Sequence, residues 1–92
     1  MQYTEYITDN EMVVYQSSTH PVHGWDIVQV ILKDGAGQVN NSFVISCDRQ
    51  GTIRRKTNFL LDVWEVVTDE TELRGFRYCF NQRDKTVAGS IT

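Results

Sequence analysis

The sequence has few of the features that cross-link or rigidify small proteins or anchor them in a membrane: it contains two cysteines, one proline and no long hydrophobic run in 92 residues. The longest apolar-rich stretch, residues 25–32, includes Asp26 and Gln29 and is far too short and polar to span a membrane. The first residues also lack the basic and apolar segments of an export signal. We therefore expect an intracellular protein in which Cys47 and Cys79 are free, buried thiols.

Motifs for catalysis and for cofactor binding are absent as well. There is no Gly-x-Ser-x-Gly nucleophile elbow, and no glycine-rich phosphate loop precedes a helix pattern. His20 and His23 resemble half of a zinc site, but Cys47 and Cys79 lie 32 residues apart, whereas structural zinc ligands usually come in close pairs. We expect a solvated loop around the histidines, no metal, no cofactor, no small-molecule substrate and no enzymatic activity.

Charge is distributed unevenly along the chain. The first 46 residues carry five acidic residues and one lysine, whereas the last 46 carry seven acidic and eight basic residues. The later basic residues form two groups, at 49–56 and 74–85, on either side of a purely acidic stretch over 62–72. Segregated charge steers partners and performs no chemistry, which favours a binding protein. The formal net charge of −3 argues against nonspecific DNA binding.

Strand patterns dominate a chain whose length predicts a single domain over residues 1–92. Residues 25–33 are rich in β-branched side chains and apolar on both faces, which predicts a central strand. Residues 42–48 are its expected hairpin partner, and a type I turn is expected at 48–51. Further strands are expected at 3–7, 12–16, 52–54, 73–80 and 86–88, with a hairpin turn at 8–10.

One segment, residues 57–67, fits both a helix and a strand. Its apolar residues follow the spacing of a helix face, and Thr57 or Asn58 could cap it, but residues 63–67 are rich in strand formers. We expect a helix, because it would cover the second face of the central strand. The predicted class is therefore α+β, a mainly antiparallel sheet of five to six strands with one short helix around 57–67; the alternative is an all-β small barrel or sandwich.

Residues 74–80, Arg-Gly-Phe-Arg-Tyr-Cys-Phe, resemble part of the RNP1 strand of RNA-recognition motifs. The match fails at Arg77 and at Asn81, and too few residues follow to complete such a motif. We expect the aromatic side chains of a half-buried strand to face the core. An alternative function is a small single-stranded nucleic-acid-binding protein that uses a basic and aromatic strand face.

The three consecutive cations Arg54, Arg55 and Lys56 cannot all be buried, so we expect them in solvent. They could keep an edge strand soluble, or they could contact phosphates or an acidic surface. The partner-binding residues predicted from the sequence are Arg49, Arg54, Arg55, Lys56, Arg74 and Arg77.

The whole chain resembles small phage-encoded anti-CRISPR proteins, in particular the inhibitors of type I-F surveillance complexes. The resemblance lies in residues 25–33 and 58–67 and in the overall character of a small, mildly acidic, strand-rich domain. These inhibitors share no signature motif, so no family residue can be transferred to a position here.

The resemblance implies a stoichiometric inhibitor that evades host defence in the cytoplasm of the infected bacterial host. Its partner would be a multi-subunit protein–RNA CRISPR complex, on which it would block target DNA binding or hybridisation. Acidic residues would engage the lysine-rich DNA path, and arginines would contact guide RNA phosphates.

Overall fold

A computed structural model describes residues 4–7, 13–85 and 90–91 and shows one antiparallel sheet with one helix in this part of the chain. The α+β class is therefore confirmed. Five strands have four residues or more, and two edge strands of three and two residues extend the sheet. In chain order the elements are β1 (Thr4–Ile7), β2 (Val13–Thr19), β3 (Asp26–Lys33), β4 (Val39–Cys47), β5 (Ile53–Lys56), β6 (Trp64–Val66), α1 (Glu70–Lys85) and β7 (Ser90–Ile91).

The strands lie in the order β6-β5-β4-β3-β2-β1-β7, and each neighbouring pair is antiparallel. The predicted central strand is confirmed as β3, which pairs with β2 and β4. The predicted turn at 48–51 is also confirmed: Asp48 Oδ1 accepts the N–H groups of Gln50 and Thr52, and Gly51 has a φ of 84°. The turn predicted at 8–10 and the strand at 86–88 lie outside the described residues.

Helix α1 packs on one face of the sheet, which we call the helix face. Side chains alternate between the two faces of a strand, so Tyr15, Val28 and Ile45 all point to this side. Arg83 fastens the helix by donating hydrogen bonds to Ser17 Oγ at 3.1 Å and to Asp26 Oδ1 at 2.7 Å. The buried core comprises Tyr15, Val28, Val30, Ile45, Ile53, Val67 and Phe80.

The helix predicted around 57–67 is wrong, because that segment forms a loop and strand β6. Asn58 does not cap a helix. Its Oδ1 accepts the N–H groups of Leu60 and Leu61 and holds a tight turn. The β-branched residues and Trp64 that follow then favour the strand.

The strand predicted over 73–80 is wrong as well, because these residues belong to α1. Asp69 Oδ1 accepts the N–H of Glu72 at 2.9 Å and caps the helix, and acidic residues fill its first turn. Leu73, Phe76 and Phe80 then meet the core at helical spacing.

Among the described residues, no helix has the length and apolar character needed to span a membrane.

Candidate functional site

The second face of the sheet, which we call the open face, carries no helix in the described part of the chain. Two shallow, adjoining grooves of about 230 and 400 Å³ run along it. Polar and apolar side chains mix in their walls, as on an exposed protein surface and not as in a buried core. The side chains that line them on this face include Gln16, Ser18, Ile27, Gln29, Ser42, Val44, Lys56 and Trp64.

The loop of residues 57–63, between β5 and β6, rises beside these grooves. Its ends are held together by a hydrogen bond from the Thr57 N–H to the Val63 carbonyl at 3.0 Å. Within it, Asn58 Oδ1 accepts the N–H groups of Leu60 at 2.8 Å and Leu61 at 3.1 Å. The loop therefore has a defined shape that its own hydrogen bonds maintain.

The tip of this loop presents three large apolar side chains to solvent. Phe59 is 81%, Leu60 86% and Leu61 56% exposed. Val63 and Val66 are also exposed and lie next to the tip along the chain. Contiguous exposed apolar side chains mark interaction sites in soluble proteins, whereas single ones are ordinary. The loop tip is therefore the leading candidate for a contact surface.

His20 anchors the loop across the open face. Because β5, β4 and β3 separate β6 from β2 in the sheet, Asp62 can reach His20 only if the loop lies over this face. The two Asp62 carboxylate oxygens lie 2.9 and 3.0 Å from His20 Nε2. His20 is 4% exposed, so the prediction of a solvated loop is wrong for this residue.

The hydrogen bonds of His20 leave neither ring nitrogen available for chemistry. Nδ1 accepts the backbone N–H groups of Val22 at 3.1 Å and His23 at 3.0 Å. A nitrogen that accepts from N–H groups carries no hydrogen, so Nε2 is the donor to Asp62. His20 therefore has a structural role, because it holds the 57–63 loop through its hydrogen bond to Asp62.

An aromatic cluster surrounds the His20–Asp62 contact. The ring of His23 stacks on Trp25 with centroids 4.3 Å apart, and Trp25 meets Trp64 edge-on at 5.7 Å. Arg54 Cζ lies 4.5 Å above the Trp25 ring, a cation–π contact. The cluster therefore packs over one end of the open face, and Trp64 also lines one of the grooves.

The Asp62 carboxylate is held in its charged form. Trp64 Nε1–H donates to Asp62 Oδ1 at 2.6 Å, and together with the His20 contact this lowers the Asp62 pKa below its usual 3.8. A lowered pKa suits a structural acceptor, whereas a general acid needs a raised one.

The structure divides the six predicted partner-binding cations between different surfaces. Arg54 and Lys56 point to the open face, and the exposed Arg49 lies in the neighbouring β4–β5 turn. Arg55 points to the helix face, and the exposed Arg74 and Arg77 lie on α1. The six residues therefore do not lie on one face of the sheet.

Two of these cations already have partners. Arg54 Nη1 pairs with Asp48 Oδ2 at 2.7 Å, and Arg55 pairs with Glu72 on α1. Both arginines and Lys56 are only partly exposed, so the expectation that all three project into solvent is wrong. Lys56 forms no ion pair within the described residues and lies 5.9 Å from the Trp64 ring centroid. It is the cation of this group that remains available beside the loop.

The cysteines and histidines do not assemble into a site. Cys47 and Cys79 are free and half-buried against the core, and burial raises the pKa of both thiols. Within the described residues, no three side chains among His, Cys, Asp and Glu are grouped to hold a metal ion.

Sequence reasoning missed the apolar loop because it assigned Phe59 and Leu60 to a buried helix face. The signal for the loop was Asn58 followed directly by three large apolar residues, a turn former in front of side chains that cannot all be buried in a turn.

In comparisons with known proteins, no protein-family model, no curated protein and no solved structure matches the chain.

Proposed function

We propose that this protein is a non-enzymatic inhibitor that binds a type I CRISPR RNA-guided surveillance complex and blocks target DNA binding or hybridisation. The choice of partner comes from the resemblance to phage-encoded anti-CRISPR proteins. We further propose that it acts in the cytoplasm of the infected bacterial host, as that resemblance implies.

The observation that carries the binding function is the exposed loop tip of Phe59, Leu60 and Leu61. A few side chains that fill well-packed pockets near the centre of an interface supply most of its binding energy, and the exposed tip offers candidates for this role. The Asn58 turn and the His20–Asp62 contact hold the tip in one conformation before binding. Preorganisation of this kind reduces the entropy lost on association.

The surroundings of the loop support a mixed protein and RNA partner. Lys56 lies beside the tip and can approach a phosphate without first leaving an ion pair in the described structure. The open-face grooves offer hydrogen-bonding groups from Gln29 and Ser42. A polar rim around an apolar centre is the usual anatomy of a protein interface.

The alternative of a single-stranded nucleic-acid-binding protein receives less support. It depended on aromatic side chains alternating along a strand, whereas residues 73–80 are helical and Phe80 is buried. Arg54 and Arg55 are paired with carboxylates, which leaves little free positive charge along β5. We therefore do not propose direct binding to free nucleic acid.

The test is a gel-shift assay of a guide-loaded type I-F complex with its target duplex at increasing concentrations of the protein. We expect the DNA-bound band to disappear, with inhibition that saturates at a fixed ratio of protein to complex and does not grow with time. Undiminished DNA binding at large molar excess would refute the proposal. Inhibition that accumulates with time would indicate an enzyme.

A salt titration with free single-stranded oligonucleotide is the companion measurement. Binding whose logarithm falls linearly with the logarithm of salt concentration would favour the nucleic-acid alternative.

A further inference from the structure

Strand β6 is an edge of the sheet with unpaired main-chain groups. The Thr57 N–H bonds the Val63 carbonyl, and the Val67 N–H bonds the Ile53 carbonyl, so the odd-numbered residues from 63 to 67 face β5. The N–H and C=O groups of Trp64 and Val66 therefore point away from the sheet. Among the described residues they have no hydrogen-bond partner.

Two features that limit pairing at sheet edges are present, since β6 is only three residues long and carries the charged Glu65, but other such features are missing. It contains no proline and no lysine, and no register shift interrupts its pairing with β5. Val66 is exposed on it, and the apolar loop tip lies a few residues away. An open edge with apolar side chains beside it is suited to receive an added strand.

The charge around this edge is negative. Residues 57–73 include five acidic residues and no lysine or arginine. Of the five, Glu72 pairs with Arg55, and Glu65 lies directly opposite Arg55 in the β5–β6 pair and interacts with it electrostatically. Asp69 and Glu70 are exposed and form no ion pair in the described structure. Lys56, the cross-strand neighbour of Trp64, lies over the Trp64 ring on the open face. Opposite charge on an approaching segment would complement this edge.

In the register centred on Glu65, the same charges disfavour a second copy of this chain as the occupant. Two β6 strands related by a two-fold axis through Glu65 would place the two Glu65 side chains directly opposite each other. Like charges at directly opposed positions destabilise an antiparallel pair.

We propose that β6 accepts an extended, lysine- or arginine-rich segment of a protein partner as an added antiparallel strand. Trp64 and Val66 supply the main-chain hydrogen bonds, Val66 supplies an apolar contact, and the acidic residues around the edge select for positive charge. This inference deepens the proposed function and rests on it in one respect, that the partner is a protein.

The test follows amide exchange by NMR while a short peptide of alternating lysine and valine is added. We expect the amide hydrogens of Trp64 and Val66 to exchange freely in the protein alone and to become protected by the peptide. A peptide of alternating glutamate and valine is the charge control and should not bind.

Two variants separate main-chain pairing from side-chain contact. Val66→Pro removes the outward N–H without removing a bond to β5, and proline is tolerated at such edge positions. Val66→Ala shortens the side chain and keeps the N–H. We expect Val66→Pro to weaken peptide binding about tenfold and Val66→Ala to weaken it by a much smaller factor. A second experiment leaves the protein unchanged and alters the peptide. N-methylation of alternate peptide residues should weaken binding about as much as Val66→Pro does.

Several results would overturn the inference: no peptide binding at about 1 mM, binding without protection of Trp64 and Val66, or equal binding of the glutamate peptide. Protection that rises with protein concentration alone would assign the edge to a second copy and overturn it too. If the lysine peptide binds as expected but the wild-type protein fails to bind the surveillance complex, the edge inference stands and the proposed function fails.

Discussion

Replacement of His20 tests whether this residue fastens the 57–63 loop. His20→Ala removes the acceptor for two backbone N–H groups, the donor to Asp62, and the ring that packs against Trp25. His20→Asn is the informative comparison, because an asparagine Oδ1 can occupy the position of Nδ1 and accept the same N–H groups. His23→Ala is the matched control, since its ring is exposed, stacks on its neighbours and accepts no backbone N–H group in the described structure.

The expected loss can be worked from these contacts. Each backbone hydrogen bond contributes about 1 kcal/mol, and the aromatic packing of the buried ring contributes about 1 kcal/mol more. The bond to Asp62 adds little, because that carboxylate is 60% exposed. His20→Ala should therefore cost about 3 kcal/mol, His20→Asn about half of that, and His23→Ala less than about 1 kcal/mol.

Urea unfolding followed by tryptophan fluorescence measures these differences, and thermal unfolding should show Tm lowered by roughly 12–24 °C in His20→Ala. If the free energy of unfolding of His20→Ala lies within about 0.5 kcal/mol of wild type, His20 does not fasten the loop. Equal losses in His20→Ala and His20→Asn would show that the Nδ1 acceptor contributes nothing.

Three other predictions concern stability and pH. Ser46 is 0% exposed and its hydroxyl has no partner within the described residues, so Ser46→Ala should stabilise the protein by about 1 kcal/mol in urea unfolding. The exposed Ser42 on the same strand is its control, and a destabilised Ser46→Ala would reveal a partner for the buried hydroxyl. The pKa of Asp62 is lower in the folded protein than its usual 3.8, so the stabilisation from the charged carboxylate is complete above pH 3.8 and is lost as pH falls through the folded pKa. Indole fluorescence should therefore change with a midpoint below pH 3.8, and Asp62→Asn should abolish this change. Gly75 lies in α1 with open space around it, so Gly75→Ala should raise stability by about 0.5–1 kcal/mol, whereas Gly51→Ala, at a φ of 84°, should lower it.

The central hairpin was predictable because several signals agreed there. Residues 25–33 combine β-branched side chains with apolar residues on both faces, and turns that favour Asp and Gly follow both β3 and β4. Local preference, hydrophobic pattern and turn chemistry all indicated the same structure.

Residues 57–85 were predicted with helix and strand in exchanged places. Phe76, Tyr78 and Phe80 alternate as in a strand, but Leu73, Phe76 and Phe80 also recur at helical spacing, and periodicity alone could not decide between them. The pair Asp69 and Glu72 matches the helix-capping pattern and would have decided in favour of the helix.

The candidate site could not be read from composition or pattern. Sequence reasoning assigns large apolar residues such as Phe59 and Leu60 to the core, whereas the structure exposes both. The His20–Asp62 contact joins residues 42 apart, and no local pattern specifies a contact at that separation. The cations Arg54 and Arg55 appeared free because their carboxylate partners are fixed only by the tertiary fold.

The claim that the loop tip is the docking surface is tested most directly by measuring the dissociation constant for a guide-loaded type I-F complex. The double variant Phe59→Ser with Leu60→Ser should bind about a hundredfold more weakly than wild type, because two apolar anchors are lost. The matched control, Val39→Ser with Tyr78→Ser, removes two other exposed apolar side chains and should bind like wild type. An unchanged dissociation constant in the loop variant, or an equal loss in the control, would contradict the account.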